Sequence, residues 1–107
     1  MPRKTAKDAS NPLLWIQKLI KCDDYSLSKR VYGKLEDGEF AHQDIVSSIL
    51  SGSIRKVEKD EIRSSIDGKK YVITGKSLCG LSFDTVGKFI LGIDGDEYFI
   101  ITAYGRI

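Results

Sequence analysis

Two Asp-Gly pairs in the last part of the chain constrain its fold more than any other feature. Asp67-Gly68 separates Arg63–Ile66 from Lys69–Thr74, and Asp94-Gly95 separates Phe83–Gly92 from Tyr98–Tyr104. Asp-Gly between alternating apolar runs predicts a β-hairpin, because a type I′ turn needs two residues that tolerate positive φ. The chain is therefore expected to end in an antiparallel meander. In the long run, Phe83, Thr85, Gly87, Phe89 and Leu91 share one face and Asp84, Val86, Lys88 and Ile90 the other. The Phe side is expected to pack on helices, leaving Lys88 on the more open face. In the last run Phe99, Ile101 and Ala103 should take one side, and Tyr98, Ile100, Thr102 and Tyr104 the other. Gly87 in mid-strand predicts a bulge or the close approach of another group. Upstream, Ile54–Lys59 reads as an edge strand whose charges discourage edge-to-edge pairing.

The first half has helical spacing. Asn11 before Pro12 is an N-cap followed by proline at the first helical position, and Leu13, Ile16 and Ile20 continue an apolar stripe to about Cys22. Trp15 reads as an anchor on the body of the domain rather than a platform for bases. Leu27, Val31 and Leu35 recur every four residues and predict a second helix from Ser28 to Asp37. Ile45/Ile49 and Val46/Leu50 predict a third from His42 to Ser51, with Asp44 at its positive end and Gly52 beyond its last turn. The expected fold is α+β, with N-terminal helices packed on a curled antiparallel sheet of about four strands. Residues 1–10, polar and aperiodic, form an expected disordered basic tail, and 11–107 a single domain.

At 107 residues the chain is long enough to bury a core without disulfides. Its longest apolar runs are too short to span a bilayer, and no apolar stretch follows the basic start as in a signal peptide, so a cytoplasmic location is expected. Cys22 and Cys79 stand far from each other and from any ligand cluster, and read as buried or idle thiols. His42, without a second ligand at metal spacing, reads as an exposed structural residue. The turn at 94–97 lacks the ligand spacing of an EF-hand, and no phosphate-binding loop, dinucleotide fingerprint, HExxH or GxSxG occurs. No cofactor or metal is expected. The net charge of +2 hides an asymmetry: the first 35 residues hold eight Lys/Arg against three acids. Such a half either contacts nucleic acid or an acidic partner, or is a set of solvated helix faces. Arg30 and Lys34, stacked four apart with no acid between them, are useful if an anion bridges them.

From about Arg30 onward, three quarters of the chain resembles a bacterial domain-of-unknown-function family whose helical half reads HAxxRMxxRGI followed by DV. The matching positions are Arg30-Val31, Lys34-Leu35, Gly38-Glu39-Phe40 and Asp44-Ile45, then Ile49 to Ile54, Glu58 to Arg63, Lys70 to Gly75, and the ending Ile100-Ile101-Thr102-Ala103-Tyr104. The resemblance implies a fold similar to the RelE/ParE/BrnT toxins, some of which cut ribosome-bound mRNA. It also implies RNA or the ribosome, and a protein antitoxin, as partners. Where the pattern has His this chain has Arg30, which cannot be deprotonated in proteins, and its two Arg positions hold Lys34 and Gly38. Metal-independent RNA cleavage needs a base, cations for the developing phosphorane charge and an acid. Arg63, Lys88 and Arg106 are the candidate catalytic cations, Tyr104 or Tyr71 the candidate proton donor, and Arg30, Lys34 and Lys70 the candidate RNA contacts. The base is missing. A non-catalytic protein-interaction module that keeps the fold is the alternative reading, and a small-molecule binder a third without positive support.

Overall fold

The structure, a computed structural model, describes residues 10–62 and 64–105. Arg63, Arg106 and most of the expected tail lie outside the described residues.

Local chemistry sets the helices where the spacing predicts them. Helix α1 (Pro12–Lys21) starts at Asn11, whose side chain accepts from the Leu14 amide at 3.3 Å. It buries Trp15, Ile16, Leu19 and Ile20, and stops as Asp23 turns to φ 59°, a conformation Asp tolerates better than most residues. A three-residue strand, β1 (Tyr25–Leu27), follows. Helix α2 (Lys29–Glu36) is capped by Ser28, whose hydroxyl accepts from Val31 N at 3.2 Å and donates to the Ile101 carbonyl at 2.6 Å. One side chain thus both starts α2 and fixes it to the sheet. Helix α3 (His42–Ser51) has Ala41 at its start, so Asp44 serves instead, accepting from Ala41 N at 2.9 Å.

The sheet contains β2 (Ser53–Lys59), β3 (Lys69–Lys76), β4 (Ser82–Gly92) and β5 (Gly95–Gly105), in the order β1-β5-β4-β3-β2. It is five-stranded and mixed, because β1 runs parallel to β5 while every other pair is antiparallel. This corrects the expected four-stranded antiparallel sheet. Three residues are too few to show a period of two, and Leu27, counted above in the second helix's stripe, belongs to β1.

Both Asp-Gly pairs lie at strand junctions, but neither forms the expected turn. Lys59 pairs with Lys69, so β2 and β3 are joined by residues 60–68 and Ser64–Ile66 are not strand. Asp67 instead accepts from Lys69 N at 3.1 Å and from the Tyr71 hydroxyl at 2.6 Å, beside Gly68 at φ 73°. At the β4–β5 hairpin Gly92 pairs with Gly95, leaving Ile93-Asp94 as the loop. Neither loop residue has positive φ; Gly95, at φ 125°, supplies it.

All three helices pack on one face of the sheet, presented by Tyr71, Ile73, Phe83, Phe89, Tyr98, Ile100 and Ala103. The Phe side of β4 faces them as expected. On β5 the expected alternation breaks: Val86 pairs with Thr102 but Gly87 with Ile100, so Ile101 is an extra residue. That bulge carries Ala103 to the same buried face as Tyr98 and Ile100. Gly87 serves the packing too, since a Cβ there would lie 2.5 Å from the buried Tyr98 ring. Trp15 is 7% exposed and its indole N–H donates to Asp96 at 3.0 Å, which makes it an internal anchor. Trp15→Phe removes that donor from a buried carboxylate, and a loss of about 1–3 kcal/mol is expected in urea unfolding. Among the described residues no helix is long and apolar enough to cross a membrane.

Candidate functional site

Beyond the short β1, the edge of β5 is lined by α2. Lys34 reaches across and donates to the Ala103 carbonyl at 3.0 Å, which holds its ammonium 5.9 Å from the centre of the Tyr104 ring. The pair stands at a cleft of about 440 Å³. Phe40 and Phe83, in edge-to-face contact with centroids 5.1 Å apart, form an apolar wall with Leu81. Glu39 and Asp44 line the cleft as well, and Asp44 also accepts from Leu78 N at 3.1 Å. Tyr104 is 39% exposed, and Arg30 lies exposed one helical turn from Lys34. The expected contact Lys34 and the expected proton donor Tyr104 are thus brought together, with the expected contact Arg30 on the same helix.

The others are not. Lys70 lies on β3, opposite Glu58 and two strands from β5. Lys88 is on the face away from the helices but is not open: it is 4% exposed, 3.5 Å from the Asp60 carboxylate, and donates to the Ser64 hydroxyl. The β2–β3 loop covers it, so an expected catalytic cation is an internal ion-pair partner. Burial pushes the Asp60 carboxyl up, but hydrogen bonds from Ser65, the Lys88 charge and the Ile62 amide outweigh this and hold it below the ordinary range. Tyr71 is also a poor proton donor, because burial and its bond to Asp67 raise its pKa far above that of a free phenol. His42 is exposed, with Nε2 2.7 Å from the Tyr25 hydroxyl. Burial, with Asp23 and Tyr32 nearby, raises the Tyr25 pKa, so that phenol stays protonated at neutral pH. Cys22 and Cys79 are free and exposed.

A second polar cluster escaped the sequence reading. On the face away from the helices, Tyr104, Asp84, Thr74 and Ser53 stand opposite one another across β5, β4, β3 and β2. Asp84 is fully buried, accepting from the Thr74 hydroxyl at 2.8 Å and from Arg55 Nη2 at 3.3 Å. Alternation had put Asp84 on this face. Its burial and its partners depend on strands 10 and 29 residues away, and no local signal announces them. Compared with models of known families, with curated proteins and with solved structures, the chain matches none.

Proposed function

We propose that the protein is a toxin-like RNA-binding domain, of the RelE-like kind that the sequence resemblance implies, and that it grips single-stranded RNA at the Lys34–Tyr104 cleft. The observation that carries this reading is the ammonium held over a half-exposed phenol ring, with Arg30 one turn away. A cation beside an aromatic face suits a nucleotide, whose phosphate takes the charge while its base stacks. Cleavage is the less supported part of the reading, since Lys88 is engaged with Asp60 and the chain offers no evident base. A specific observation favours the second reading, a protein-interaction module: Leu81, 65% exposed, lines a cleft that also holds two acids, and the equally exposed Leu78 is three residues away in the chain.

Cell-free translation at rising protein concentration, with mapping of mRNA ends and a parallel RNA-binding titration, separates these readings. Binding is expected to weaken with salt, and Lys34→Ala to weaken it about tenfold and lower the salt slope by about one. New discrete mRNA ends would add the nuclease activity. Full translation and no RNA binding at micromolar protein would overturn the reading in favour of the interaction module.

A further inference from the structure

The row Tyr104–Asp84–Thr74–Ser53 sits badly with a purely structural role. The next row on the same face is Thr102–Val86–Val72–Lys56, whose two central members are apolar and Val72 buried, so the middle of this surface can be built from apolar side chains. Burying a carboxylate is costly unless it is paired and hydrogen-bonded, and replacing such a pair by apolar groups is often neutral or stabilising. Here Arg55 from β2 and the Thr74 hydroxyl from β3 both donate to the buried Asp84. What the arrangement achieves is the placement of Arg55.

Arg55 is the extra residue of a β-bulge in β2: Ile54 pairs with Ile73 and Lys56 with Val72, leaving Arg55 without a cross-strand partner. Bulges of this kind re-aim a side chain. Arg55 gives one Nη2 N–H to Asp84, yet its side chain remains 46% exposed while that of Asp84 is 0%. Asp84 Oδ2 holds one corner of the guanidinium, and the Arg55 side chain as a whole stays in contact with solvent. A planar, oriented guanidinium is suited to the oxygens of a phosphodiester. Tyr104 links this cluster to the cleft, since it stands opposite Asp84 in register and also carries Lys34 over its ring. At strand spacings of roughly 4.8 Å, the row from β5 to β2 is about 14 Å across, room for a few nucleotides.

We infer that Arg55, oriented by Asp84 and Thr74, is a backbone-phosphate contact on the helix-free face of the sheet, and that bound RNA runs from the Lys34–Tyr104 cleft across Asp84 to Arg55. This rests on the RNA reading above and extends it to a second contact. Asp84 and Thr74 are positioning residues, and they act on the ligand only through Arg55.

The test is fluorescence anisotropy with a labelled single-stranded oligoribonucleotide over a salt series, with thermal melting of each variant. Arg55→Gln keeps an amide donor for Asp84 and removes the charge. It is expected to weaken binding about tenfold and lower the salt slope by about one. Arg55→Lys keeps the charge and should retain the slope while losing part of the affinity. Thr74→Val should weaken binding about threefold with an unchanged slope, the mark of a residue that orients the cation without being one. If Arg55→Gln binds like the parent while Lys34→Ala does not, the inference fails and the RNA reading stands. Weaker binding of Arg55→Gln with an unchanged slope would also overturn it, because the residue would then be a prop. If the parent protein shows no salt-dependent binding, both fall together.

Discussion

Lys88→Met is expected to cost about 3–5 kcal/mol of stability, because it leaves the Asp60 carboxylate buried without its counter-charge. Both side chains of the pair are at most 5% exposed, so water cannot take over as it does for a surface ion pair. For a domain of this size the loss corresponds to a Tm lower by about 13–22 °C. The double variant Asp60→Asn/Lys88→Met removes both charges and should recover part of the loss. A double-mutant cycle in urea therefore measures the coupling, and additive losses would show that the two charges do not support each other. The same pair sets an acid limit. The folded state holds the Asp60 pKa below its unfolded value near 3.9, so the unfolded chain binds more protons in that region and stability rises with pH. This contribution is complete above about pH 5 and is lost as pH falls through the folded pKa. In Lys88→Met one cause of the depression is gone, so the gap between the folded and unfolded pKa narrows and the acid-dependent loss of stability should be smaller than in the parent.

Gly75→Ala is the second large effect, expected to cost about 3 kcal/mol or more in urea unfolding. A Cβ at Gly75 would lie 2.6 Å from the carbonyl carbon of Ser48 and closer still to its oxygen. The obstacle is helix backbone, not a side chain that can turn aside, so α3 would have to lift from the sheet. That seat is tight all along: Ser48 is fully buried, Ser47 donates to the Lys76 carbonyl at 3.0 Å, and Lys76 N donates to Ser51 at 3.1 Å. Gly33→Ala is the control. In α2 it meets no atom within 4 Å, and replacing a helical glycine there should leave stability unchanged or raise it by about 0.5–1 kcal/mol. Equal effects of the two substitutions would show that α3 does not rest on β3 through its backbone.

The outcome at particular residues marks what was legible in the chain. Asn11 and Pro12 start α1 as capping chemistry predicts, since a cap is read within four residues. Gly52, by contrast, closes α3 as its C-cap in extended backbone rather than as the expected left-handed glycine beyond it. Gly87 marks both a register shift and a close approach, as an isolated glycine in a strand suggests. The face assignment of β5 failed beyond Ile101, because one inserted residue reverses the parity of all that follow. Lys88 was misjudged for a different reason. Alternation gives the side of a strand but does not tell whether a distant loop covers it, and Asp60 and Ser64 cover this one. In the candidate site, Arg30 and Lys34 were visible as a helical stripe, whereas the meeting of Lys34 with Tyr104, 70 residues later, was not.

By itself, then, the sequence determined the three helices, the edge strand β2, the β-rich second half and the buried side of β4. These follow from interactions among residues a few positions apart, where period and capping are decisive. Only the tertiary structure decided the parallel pairing of β1 with β5, the bulges at Arg55 and Ile101, the burial of Lys88 with Asp60, and the row that ties Arg55 to Asp84. Each of these is a contact between segments distant in sequence. Which charge is buried, and which is presented, depends on what folds over it.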